Sequence, residues 1–89
     1  MSTFAVEYCK NWDGGKQEFN TAKQAILDIF PDATVIERRV DKYPVVVKIY
    51  TEDGEVIFTV DQRNLFSKYA TKRKESIDQI HKILRELDV

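Results

Sequence analysis

Pro31 constrains this chain more than any other residue, because it closes a helical segment that has strand-like sequence on both sides. Proline lacks an amide donor and disfavours helical geometry in the residue before it, so a helix opening at Lys16 stops near Phe30. Within that helix Phe19, Ala22, Ile26, Ile29 and Phe30 recur at spacings of three and four, with Glu18, Lys23, Gln24 and Asp28 expected on the other face. Before it, Phe4-Ala5-Val6-Glu7-Tyr8 alternates so that both faces are mostly apolar, the pattern of a central strand covered on both sides. After it, Thr34-Val35-Ile36-Glu37-Arg38-Arg39-Val40 is β-branched but increasingly charged, as expected nearer a sheet edge. Two strands that enclose a helix lie parallel in one sheet through a right-handed crossover.

The second half adds an antiparallel pair. Val45-Val46-Val47-Lys48-Ile49-Tyr50 and Glu55-Val56-Ile57-Phe58-Thr59-Val60 flank Thr51-Glu52-Asp53-Gly54, in which Asp-Gly is a strong hairpin signal. Periodicity weakens from Asp61 to Thr71 and returns in a last helix striped by Ile77, Ile80, Leu84 and Leu87, widened by Ile83, with His81 at the rim. The predicted order is strand, helix, strand, strand, strand, helix. It describes one α/β domain over residues 1–89, a small mixed sheet covered by two helices, without an internal repeat or linker.

Composition narrows the function classes. With 43% hydrophobic residues, 89 residues support one core that buries roughly 60–65% of the unfolded surface. The formal net charge of −1 provides no long-range field toward nucleic acid or anionic membrane. No apolar run approaches the roughly 18 residues of a membrane span, and Met1-Ser2-Thr3 leads into the first strand without a signal-like apolar stretch, so a soluble, cytoplasmic protein is expected. Cys9 is the single cysteine and His81 the single histidine, which excludes an internal disulfide and leaves no cluster for structural zinc. The scattered aspartates do not pair for acid–base catalysis, and Gly14-Gly15 lacks the spacing of a phosphate-binding loop.

Cys9 lies where the first strand runs into a loop and then a helix, and in open α/β sheets reactive groups gather beyond the carboxyl ends of parallel strands. The thiolate is the nucleophile, and nearby cations and helix N-terminal amides favour it. Lys10 adjoins Cys9 and Lys16 opens the helix, while Gly14 and Gly15 leave the loop open to a partner's backbone. The competing reading is a buried cysteine serving as a small hydrophobe. Position alone does not separate the two.

The Val6-Glu7-Tyr8-Cys9-Lys10-Asn11-Trp12 stretch, the helix ending Ile29-Phe30-Pro31, the Asp53-Gly54 hairpin and the closing helix from Ile80 to Leu87 resemble the selenoprotein W and selenoprotein H family, the Rdx-type thioredoxin-like proteins. The resemblance runs over nearly the whole chain. It implies a thioredoxin-like β-α-β-β-β-α fold and a Cys-x-x-Sec or Cys-x-x-Cys redox motif linked to glutathione- or thioredoxin-dependent homeostasis. Cys9 then matches the first residue of the motif, and Trp12 stands where selenocysteine or a second cysteine belongs. Indole forms no disulfide, so a redox cycle at Cys9 requires an outside thiol, glutathione or a protein thiol. The implied activity is that of an oxidoreductase without a resolving thiol and without a tightly bound cofactor.

Two accounts of Trp12 follow. It marks a recoded selenocysteine position, since UGA and UGG differ by one base, or it covers a hollow near Cys9 and offers an aromatic anchor to a partner protein. In the second account the Cys9–Trp12 loop docks a partner on a non-catalytic thioredoxin-like scaffold. Tyr43-Pro44 precedes the third strand where thioredoxin-like proteins often hold a cis-proline beside the active cysteine, although an X-Pro bond taken alone favours trans. Finally, Arg63, Lys68, Lys72, Arg73 and Lys74 interleave with Phe66 and Tyr69 over residues 62–74, a composition able to bind single-stranded nucleic acid. The low overall pI favours a solvated segment with its aromatics on the core.

Overall fold

The computed structural model describes residues 3–9, 16–41, 46–65 and 69–87. Four strands, β1 (Thr3–Cys9), β2 (Thr34–Val40), β3 (Val46–Thr51) and β4 (Val56–Asp61), form one sheet in the order β2-β1-β3-β4. Helix α1 (Lys16–Ile29) connects β1 to β2, and α2 (Ala70–Glu86) follows β4 after a 3-10 turn, Gln62–Leu65. This is the thioredoxin-like β-α-β-β-β-α arrangement predicted above. β1 runs parallel to β2, from Thr3 opposite Thr34 to Cys9 opposite Val40, and antiparallel to β3, from Phe4 opposite Thr51 to Glu7 opposite Lys48.

The hairpin forms because Gly54 alone supplies the required backbone, at φ 88°, with its N–H bonded to the Thr51 carbonyl at 2.9 Å. An irregularity between Ile49 and Tyr50 re-aims the far end of the β3–β4 ladder. At the end of α1, the Phe30 N–H still reaches the Ile26 carbonyl at 2.8 Å, and the chain turns at Pro31 as the sequence requires.

Alternation along the strands sorts the sheet into two faces. Phe4, Val6 and Tyr8 of β1, Val47 and Ile49 of β3 and Phe58 of β4 meet Phe19, Ala22, Ala25 and Ile26 of α1 and Ile80 and Leu84 of α2 in one core. Phe4 stacks on Phe30 with ring centroids 5.7 Å apart, and Tyr8 lies against Phe19 at 5.6 Å. Both described helices therefore cover the same face. β1 is central as expected, but its second face carries no described helix. There Ala5 lies between its register partners Ile36 and Tyr50, whose large side chains shelter it, and Arg38 rests over the Tyr50 ring at 5.1 Å while the Tyr50 hydroxyl donates to Glu7.

α2 starts at Ala70, inside the stretch where apolar periodicity is weak. The missing signal has a physical cause: Ser76 takes a buried position on the inward face, its hydroxyl satisfied by the carbonyls of Lys72 at 3.0 Å and Asn64 at 3.3 Å.

Candidate functional site

Cys9 ends β1 at the carboxyl edge of the parallel β1–β2 pair. Continuing the β1–β3 register would set Cys9 opposite Val46, yet both of its backbone hydrogen bonds are made by a side chain. The Cys9 N–H donates to Gln62 Oε1 at 2.8 Å, and Gln62 Nε2 donates to the Cys9 carbonyl at 2.9 Å. A glutamine amide presents one N–H edge and one C=O edge, as a peptide does, so Gln62 acts as a one-residue strand where the ladder ends. Its second Nε2 hydrogen goes to Glu18 Oε1 at 3.2 Å, in the first turn of α1. Turning the amide over would set oxygen against a carbonyl and a carboxylate, so the network allows a single orientation.

All three residues are enclosed: Cys9 is 0% exposed, and Glu18 and Gln62 are 1% exposed. Two sequence expectations change here. Glu18 was placed on the polar face of α1, but it precedes Ala22 by four residues and so shares the inward face, where Gln62 receives it. A nucleophilic thiol at Cys9 requires a sulfur presented to solvent, and the structure instead encloses Cys9 completely.

The cation expected to help the thiol is committed elsewhere. Lys16 Nζ lies 2.9 Å from Glu37 Oε1 and 5.2 Å from the centroid of the Phe19 ring. The other oxygen of Glu37 accepts the Tyr8 hydroxyl. Burial, reinforced by the hydrogen bond and the negative charge of Glu37, pushes the Tyr8 phenol up to about 12, so it remains a donor at neutral pH. The Tyr8 hydrogen bond and then Lys16 hold the Glu37 carboxyl below its usual range. This Tyr8–Glu37–Lys16 cluster lies on the helix-covered face and joins β1, β2 and the start of α1.

Lys10 and Trp12, with the rest of the 10–15 loop, lie outside the described residues, as do Tyr43 and Pro44. The proline isomer and the surroundings of the indole fall there too. Of the basic segment, Phe66 and Lys68 are outside the described residues. Tyr69, Lys72 and Lys74 are exposed, and Tyr69 and Lys72 line a shallow groove together with Asn64 and the acidic Asp61. Arg73 turns back to α1, with Nη2 3.3 Å from Thr21 Oγ1. Among the described residues, Arg73 thus turns away from the exposed Lys72 and Lys74.

His81 is a rim residue, as its position beside the apolar stripe predicts, and its Nε2 pairs with Asp28 Oδ2 at 3.1 Å to clasp α2 to α1. Among the described residues no three His, Cys, Asp or Glu side chains converge as a metal site, and no helix is long and apolar enough to cross a membrane. Sequence reasoning overlooked Gln62 and Glu37. Glu18 alone carried a signal, its spacing to Ala22. Comparison with family models, curated proteins and solved structures finds no match to this chain.

Proposed function

We propose that this chain is a thiol-based redox protein of the selenoprotein W type, in which Cys9 works as a monothiol with glutathione or a protein thiol. The observation that carries the reading is the position of its only thiol: the carboxyl end of the central parallel strand, next to the first turn of a fourteen-residue helix, with the strand end held at both backbone groups by Gln62. In the reaction Cys9 loses its proton to solvent and the thiolate attacks one sulfur of oxidised glutathione. The glutathione S–S bond breaks, a Cys9–glutathione disulfide forms, and the second glutathione leaves as a thiolate that takes up a proton. A further reduced glutathione reverses the step, and two electrons move each way. No second cysteine competes for the mixed disulfide. Enclosure of Cys9 makes this a slow thiol that reacts from an opened form.

Incubation with oxidised glutathione followed by intact-mass analysis tests the reading. One adduct per chain, absent in Cys9→Ser and removed by reduced glutathione, is expected. An unmodified chain after prolonged exposure at pH 8 ends it.

A second reading is favoured by the 0% exposure of Cys9 itself, since a cysteine without solvent access is ordinarily inert. In that reading the scaffold docks a partner protein through the Cys9–Trp12 loop. Trp12→Ala then abolishes partner capture while Cys9→Ser leaves it intact, and the reverse pattern removes this reading.

A further inference from the structure

The sheet has two marginal strands, and they differ in how they meet other chains. β2 carries Glu37, Arg38 and Arg39 in succession, all exposed, and charges of this kind keep an edge from pairing with another molecule. β4 has neither charge nor proline from Val56 to Val60. A strand with one neighbour turns part of its backbone donors and acceptors outward, and from Phe58 to Asp61 β4 keeps a regular register on β3 that suits it for a second neighbour. Nearer the hairpin Ile49 faces Phe58 while Tyr50 faces Val56, which makes Ile57 an extra residue in β4. The extra residue lets Ile57 as well as Phe58 pack toward the helices.

Beside this edge a groove of about 450 Å³ runs between β4 and α2. Ile57 and Ile83, both half-buried, form its apolar floor, and the exposed Thr59, Gln79, Lys82 and Glu86 form its rim. Among the described residues neither Lys82 nor Glu86 belongs to an ion pair. The groove therefore offers one cation and one anion a helical turn apart. A peptide of a single charge sign meets a like charge there, and an apolar peptide desolvates both charges without a partner. A second copy of the same surface matches both. About a two-fold axis normal to the sheet, β4 pairs antiparallel with its copy and the helices stay on the same side. Each α2 then runs antiparallel to the other, which brings Glu86 of one copy toward Lys82 and Gln79 of the other and covers Ile57 and Ile83.

We propose that two copies of this chain associate edge to edge through β4, joining their four-stranded sheets into one continuous sheet with the two α2 helices side by side. β3 separates this edge from β1 and Cys9, so the association goes beyond the thiol reading and is tested apart from it.

Sedimentation equilibrium of the full chain at low salt, from low to high micromolar concentration, provides the test. The mass is expected to rise from 10.4 kDa toward twice that value. Lys82→Glu sets carboxylate against carboxylate at both symmetry-related contacts and is expected to weaken dimerisation roughly tenfold. Adding Glu86→Lys to it exchanges the two signs and is expected to restore the affinity to within about twofold. Both positions are exposed, so neither change disturbs the core. Ile36→Lys, on the exposed face of the other edge strand, is expected to have no effect. Amide exchange should slow with concentration at residues 56–61 and stay unchanged at residues 34–40. A chain that keeps the mass of one copy throughout overturns the proposal, as does a dimer indifferent to Lys82→Glu. Dispersal by Ile36→Lys instead assigns the contact to β2 or the helix-free face and also overturns it. So does a single chain whose residues 56–61 gain protection only when an excess of valine-rich extended peptide is added, because the edge then takes a foreign strand.

Discussion

Replacing Gln62 by glutamate changes one heavy atom and leaves the volume of the side chain almost untouched, so its effect isolates hydrogen-bond polarity. The oxygen that accepts from the Cys9 N–H at 2.8 Å is retained. The Nε2 that donates to the Cys9 carbonyl at 2.9 Å and to Glu18 at 3.2 Å becomes a second oxygen, so two acceptors that had donors now face an acceptor. A buried acceptor that loses a donor costs about 1–3 kcal/mol, and two such losses give about 2–6 kcal/mol for Gln62→Glu at pH 8. That is a large part of the roughly 5–15 kcal/mol that holds a domain together. The loss must also depend on pH. The introduced carboxyl, enclosed beside Glu18, has a folded pKa raised above its unfolded value of about 4.3. The variant is therefore closest to wild type below that unfolded value, where its proton restores a donor, and loses stability as pH rises toward the folded value. Urea unfolding followed by circular dichroism at pH 5 and pH 8 measures both effects, with Gln62→Met as a comparison that lacks the added acid and should show no such trend. A Gln62→Glu chain within about 0.5 kcal/mol of wild type at pH 8, or equally destabilised at both pH values, refutes the hydrogen-bond assignment at this junction.

The remaining predictions concern the scaffold around the site. Tyr8 ionises only near pH 12 in the folded chain, as read by tyrosinate absorbance, and Glu37→Gln lowers that value while burial keeps it above an ordinary phenol. The Asp28 carboxyl is held below its ordinary value of 3.8, first by Gln24 and then by His81, so its contribution to stability is present above that value and disappears as pH falls through the folded one. Thermal unfolding between pH 2 and pH 6 should show a shallower acid dependence in Asp28→Asn than in wild type. Gly54→Ala costs about 1–2 kcal/mol by urea denaturation, because an added Cβ meets nothing within 4 Å and only the positive φ of 88° opposes it. A neutral result there removes the conformational argument for the hairpin turn.

Much of the fold is legible in the residues alone. The Pro31 stop, the Asp53-Gly54 turn and the shift between period two and period three to four specify the order of elements, and the enclosed helix specifies a parallel β1–β2 pair. These are short-range properties, decided by steric limits on a few neighbouring residues and by the regular recurrence of apolar side chains. The site is different. Whether Glu18 points to water or into the core, whether Lys16 supports a thiolate or neutralises Glu37, and whether Cys9 is open or closed depend on partners 21 to 53 residues away. A buried polar side chain is tolerated only where a complementary group arrives from another element, and no pattern along the chain announces that arrival. Local chemistry therefore chose the strands, helices and turn, and tertiary assembly chose the polar contacts that close the strand end at Cys9.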